Sequence, residues 1–93
     1  MQSIWKYTIP IEGEFHLEIP RDAQILSVQV QHNEPCIWVL VDPKAHTVTT
    51  PFRIYGTGHP IKGYPGHFIG TFQTHGGDFV WHLFYMPVTT STA

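Results

Sequence analysis

Cys36-Ile37-Trp38-Val39-Leu40-Val41 is apolar at every position. A short run of Ile, Val and Trp bounded by turn residues is a β-strand, and one apolar on both sides is a central strand covered on both faces. One cover is the domain core; the other is a second sheet, a ligand or another subunit. The run is preceded by a turn cluster, His32-Asn33-Glu34-Pro35, and ended by Asp42-Pro43-Lys44. Upstream, Gln24 to Gln31 alternates. Leu26, Val28 and Val30 are expected inward, Ser27, Gln29 and Gln31 outward, and Ile25 is an apolar exception on the polar face. Glu14 to Ile19 alternates strictly, with Phe15, Leu17 and Ile19 on one face. Ile4 to Pro10 is rich in β-formers, and Pro10 limits it to an edge or a strand end. With Glu12-Gly13 as a tight turn, these first two segments are expected to form an opening antiparallel hairpin.

Downstream, Thr47-Val48-Thr49-Thr50 reads as a short strand or an extended loop. Phe52 to Tyr55 is a strand with Phe52 and Ile54 on one face. Gly56 to Gly66 contains four Gly and two Pro, too many for regular structure. His67 to His75 and Phe79 to Met86 are strands joined at Gly76-Gly77. A two-residue loop there pairs His75 with Asp78, Gln73 with Val80 and Thr71 with His82. Alternation puts His67 and His75 on one face. In the last strand Phe79, Trp81, Leu83 and Tyr85 face one way and Val80, His82, Phe84 and Met86 the other, again as in a covered sheet. No apolar residues recur at helical spacing over three turns. The chain is therefore expected to be all-β, a single small antiparallel β-sandwich or partly open barrel of about seven strands. One domain spans residues 1–93, with an ordered core from residue 4 to 86 and a tail, 87–93, expected to fray.

Composition narrows function by exclusion. Charged residues are 13% of the 93, against roughly 25% in an average soluble protein. Net charge is −2 with five Lys and Arg, too few cations to grip a nucleic-acid polymer. No apolar run reaches the roughly 18 residues of a membrane span, and the first residues lack the pattern of a secretory signal. One cysteine, Cys36, excludes an internal disulfide and suits a reducing, cytoplasmic setting. Sparse surface charge together with thirteen aromatic residues (three Trp, four Tyr, six Phe) predicts a homo-oligomer that buries part of the surface.

The chemistry-bearing residues point away from catalysis. Cys36 heads an apolar strand, as a buried inert thiol does, and the acids lie on outer faces or at turns. Seven histidines are many, yet none stands in a tight metal-ligand spacing; no metal and no cofactor is expected. Arg53-Ile54-Tyr55-Gly56-Thr57-Gly58-His59-Pro60 is the most site-like stretch. Arg53 and Tyr55 project from one face of the strand feeding it. Arg53 offers a planar fork for a phosphate or carboxylate. Gly56, Thr57 and Gly58 offer backbone N–H groups in the positive-φ geometry of an anion nest. Tyr55 and His59 offer flat faces for stacking, and Trp38, Tyr64 and His75 could wall the site. A structural alternative is a wide loop in which Arg53 holds a carboxylate such as Asp42.

Several stations of the chain resemble a family of small uncharacterised proteins encoded by bacteriophages, prophages and their hosts. They are Ile4-Trp5-Lys6-Tyr7, Ala23 to Gln29, Pro35 to Asp42, Phe52-Arg53-Ile54-Tyr55-Gly56-Thr57-Gly58-His59-Pro60-Ile61, and Tyr64 to Phe72 running into His75-Gly76-Gly77. The resemblance implies a small accessory protein acting inside a bacterium during infection, and it carries no assigned catalytic residue. By analogy it points to sponges that sequester a nucleotide immune signal in pockets shared between subunits. The leading expectation is thus a non-enzymatic, oligomeric binder of a small polar or nucleotide-like ligand. The alternatives are a module that inhibits a host protein and a metal-assisted hydrolase built on the histidines.

Overall fold

Glu34–Val41 is the middle strand of a three-stranded sheet in the computed structural model of the chain, which describes residues 1–88. The strands are β1 (Ser3–Thr8), β2 (Glu14–Pro20), β3 (Gln24–Gln31), β4 (Glu34–Val41), β5 (Thr47–Gly56), β6 (His67–Thr74) and β7 (Phe79–Tyr85). They form two antiparallel sheets, ordered β1-β4-β3 and β2-β5-β7-β6. The described residues are all-β, a seven-stranded sandwich rather than a closed barrel. Ile37, Val39 and Val41 of β4 share one buried cluster with Phe52, Ile54 and Leu83 of the other sheet. Phe15 stacks on Phe52 at 5.1 Å. Burying each such side chain contributes roughly 1.5–3 kcal/mol, which an unstapled domain of this size needs.

Two hairpins form where turn chemistry dictates them. His32 and Asn33 adopt φ of 51° and 66°, the paired left-handed conformation of a two-residue turn, so β4 begins at Glu34 rather than Cys36. Thr71 pairs with His82 and Gln73 with Val80, the expected register. The expected His75–Asp78 pair across a two-residue loop does not form: the last ladder pair is Thr74–Phe79, and His75–Gly77 winds as a single 3₁₀ turn that makes the connection longer.

Other expectations are corrected. β1 and β2 do not form a hairpin: β1 pairs with β4 and β2 with β5, in different sheets. Gly13 does not take positive φ, and its carbonyl accepts from Ile54 N–H at 3.1 Å, so it extends the β2–β5 ladder instead of reversing the chain. Leu26 is exposed rather than inward. A β-bulge opposite Trp38 inserts it between Ile25 and Ser27, which shifts the phase and turns Ile25 toward the core. Val30 follows Val28 in phase but lies beyond the packed layer and stays 38% exposed. β4 is covered fully on one face only; on the other Cys36 is buried but Trp38 and Leu40 are half-buried, and no second sheet of the described residues lies above them. The two segments around Pro51 are one strand. Pro51 is tolerated inside β5 because its carbonyl accepts from Met86 N–H at 3.0 Å, so its missing N–H falls where β7 ends. Of the tail expected to fray, Pro87 and Val88 are exposed and irregular, and 89–93 lie outside the described residues.

Candidate ligand-binding face

Directly opposed residues in an antiparallel ladder project to the same side. The pairs Glu14–Arg53, Arg53–Phe84 and Phe84–Phe68 therefore make one row across the outer face of the four-stranded sheet. The next row is Tyr55, His82 and Thr71. β5 supplies Arg53 and Tyr55 because its inward positions are taken by Phe52 and Ile54, both buried. Phe84 lies between two rings: Phe68 at 5.3 Å, and Tyr55 at 5.7 Å nearly edge-on at 78°. Phe68 is 58% exposed, so the cluster presents an open aromatic surface. The Arg53 Nε lies 3.5 Å from Glu14 Oε1, a half-exposed pair of the kind worth about 0–1 kcal/mol. Arg53 thus pairs with Glu14 rather than Asp42, and weakly enough to exchange that partner for a ligand anion.

His82 is held between two hydroxyls, Thr57 Oγ1 at 2.8 Å from Nε2 and Thr71 Oγ1 at 3.0 Å from Nδ1. Thr57 also donates to the Val80 carbonyl at 3.5 Å, which leaves its oxygen to accept from Nε2–H and Nδ1 to accept from Thr71. The imidazole is an oriented polar bridge over three chain segments. Because β5 and β6 both run antiparallel to β7, they are parallel to each other. Residues 57–66 therefore connect opposite ends of the sheet, from the Gly56–Trp81 pair to the His67–Tyr85 pair.

The connection starts with a tight local arrangement. His59 Nδ1 accepts from Gly56 N–H at 3.2 Å, and a Cβ on Gly56 would lie 2.7 Å from His59 Cε1. Thr57 N–H donates to Val80 O at 3.1 Å and His59 N–H to Gly56 O at 3.0 Å. Of the amides of residues 56–59, that of Gly58, at φ 88°, is the one not engaged in these bonds, and Gly56 itself is not in the positive-φ region. A depression of about 190 Å³ opens beside Gly56, Thr57 and His59.

The sheet brings Arg53, Tyr55 and Thr57 together on one side. His59 is folded onto Gly56. Trp38 pairs with Lys6 and Ser27 on the outer face of the other sheet. Tyr64 is an exposed ring 6.5 Å from His67, and His75 sits at the β6–β7 turn against Phe79. His67 does not share the face of Thr71: a bulge at Ile69 turns it to the side of Tyr85, 5.7 Å away. Phe68, Phe84 and the Thr57–His82–Thr71 bridge were not among the candidates. The Thr71–His82 pairing was legible in the hairpin, but bringing Phe84 beside Arg53 needed the non-local β5–β7 pairing. Among the described residues no three His, Cys, Asp or Glu side chains converge as a metal site, and no helix is long and apolar enough to cross a membrane.

Fold and face define a small β-sandwich domain with an aromatic, cation-bearing outer sheet. The chain belongs to the family described as a domain of unknown function (DUF7352), whose model matches residues 1–92. No curated protein and no solved structure matches it.

Proposed function

We propose that the chain is a non-enzymatic binding module whose working surface is the outer face of the four-stranded sheet. Its ligand joins a flat ring to an anionic group, most concretely a nucleotide. The observation that carries this is the row Arg53–Phe84–Phe68 with Tyr55 beside it. Arg53 forks onto a phosphate, and the base stacks on the exposed ring of Phe68. An open face encloses little of a small ligand, so a second copy of the chain supplies the other wall; low surface charge favours such association. The resemblance to phage and prophage proteins supports sequestration, without cleavage, of a nucleotide immune signal in the bacterial cytoplasm.

The test is native mass spectrometry of untagged protein with a panel of mono-, cyclic di- and cyclic trinucleotides. A defined oligomer takes up nucleotide and releases it intact on denaturation. Arg53→Ala weakens uptake by about 1.5–3 kcal/mol, and Phe68→Ala also weakens it. Uptake unchanged in both variants, or no uptake from the whole panel, overturns the proposal.

A second function is favoured by one feature. The outer face of the three-stranded sheet exposes Ile4 and Leu26 around half-buried Trp38 and Leu40, an apolar patch suited to a host protein. A host-lysate pull-down that depends on Trp38, with nucleotide binding absent, would select this alternative.

A further inference from the structure

At one end of the sandwich the β1–β2 connection, the β3–β4 turn and the β6–β7 turn surround a depression of about 520 Å³. Asn33, Gln73, Thr74 and His75 line it with Ile11 and Val30, and no charged side chain does. It lies apart from the Arg53 row. Asn33 and Gln73 are exposed, and none of the side-chain hydrogen bonds among the described residues engages their amides. Ile11 and Val30 are 40% and 38% exposed, an apolar floor without a cover.

His75 is fixed in orientation. Its backbone is left-handed at φ 56°, and its ring stands edge-on to Phe79 at 5.1 Å. Trp81 Nε1 donates to Thr74 Oγ1 at 2.9 Å, and an indole N–H can only donate. The same hydroxyl lies 3.3 Å from His75 Nδ1, which ties the ring to β7 through Trp81 and leaves its Nε2 edge free of that contact.

We propose that this end cleft binds a neutral, hydroxyl-rich ligand, a saccharide. An anion finds neither Lys nor Arg in the lining. A nucleobase finds no Phe, Tyr or Trp face there to stack on. Each side-chain amide offers donors and an acceptor together, which matches neighbouring hydroxyls that both give and take hydrogen bonds. Ile11 and Val30 take the C–H face of the ring, and the His75 Nε2 edge meets a hydroxyl, which can give or take that hydrogen bond. This assignment is independent of the nucleotide proposal.

The test is an NMR titration of the ¹⁵N-labelled full chain with glucose, galactose, mannose, N-acetylglucosamine and maltose, and with adenosine as comparator. At least one sugar shifts the Asn33 and Gln73 side-chain amide signals and the His75 ring signals saturably. Gln73→Ala, an exposed position, weakens that binding about fivefold, the loss of one hydrogen bond, while Arg53→Ala leaves it unchanged. The proposal is overturned if no sugar moves these signals, if adenosine alone moves them, or if Gln73→Ala binds the sugar as tightly as the native chain.

Discussion

Gly70 and Val28 meet where the two sheets come closest, and replacing both tests the sandwich directly. A Cβ on Gly70 would lie 2.8 Å from Val28 Cγ1. An ordinary carbon–carbon contact is about 3.5–4.0 Å, so Gly70→Ala forces an overlap of about 0.7 Å or more. Val28 is buried and β-branched, so its methyl cannot swing aside without leaving its rotamer. Overpacking of this kind costs about 1–3 kcal/mol. Gly70 does not have positive φ, so alanine fits its backbone and recovers about 0.4–1 kcal/mol by restricting the unfolded chain. Gly70→Ala is therefore expected to destabilise by about 1–2 kcal/mol. Val28→Ala removes two methyl groups from a packed seam, at about 2 kcal/mol. In the double variant the methyl added at residue 70 occupies the room vacated at residue 28. Its loss should fall short of the sum of the singles by at least about 1 kcal/mol. Urea denaturation of the four proteins, with comparable m-values, measures this. Strictly additive losses would refute the placement of β3 against β6.

Gly56→Ala should expel the His59 ring and leave a buried N–H without its acceptor, a loss of about 1–3 kcal/mol. It should be less than additive with His59→Ala in the same denaturation assay. Burial raises the Tyr7 phenol above its ordinary 10.0. The unfolded chain then ionises first, so stability is full below pH 10 and falls as pH rises through the higher folded value. Tyr7→Phe should flatten that alkaline loss, measured by thermal melts across a pH series. Cys36 is 2% exposed, so a thiol reagent should modify it only at the rate of opening, and denaturant should accelerate the reaction steeply. Immediate reaction in the native state would place the thiol on the surface instead.

What was legible beforehand was local. The His32-Asn33 and His75-to-Asp78 turns announce their hairpins, because two strands joined by a short turn have little choice of partner. Alternation placed Phe15, Leu17 and Ile19 correctly, because β2 contains no bulge. It misplaced Leu26 and His67, because one inserted residue in β3 and another in β6 inverts the phase, and no residue type marks those points. The opening pair failed for a different reason. Glu12-Gly13 has turn composition, but pairing β2 with β5 buries Phe15 on Phe52, and pairing β1 with β4 covers the most apolar strand in the chain. Of the candidate site, Arg53 and Tyr55 share a face simply by strand periodicity. Their neighbours Phe84 and Phe68 come from strands distant in sequence, and pairwise spacing cannot reveal them.

The position of β7 has a consequence for how the protein is made. β7, the last strand among the described residues, lies between β5 and β6, in the interior of its sheet rather than at its rim. While the chain emerges from a ribosome, β1, β3 and β4 can assemble early, but β5 and β6 have no bridge until Tyr85 is free of the exit tunnel. Until then the Arg53 row has no Phe84, and Phe52 and Ile54 lack Leu83 and Tyr85 beside them. The nascent domain completes its larger sheet only when β7 joins it, so a nonsense mutation that removes β7 would leave β6 unbridged to the rest of its sheet.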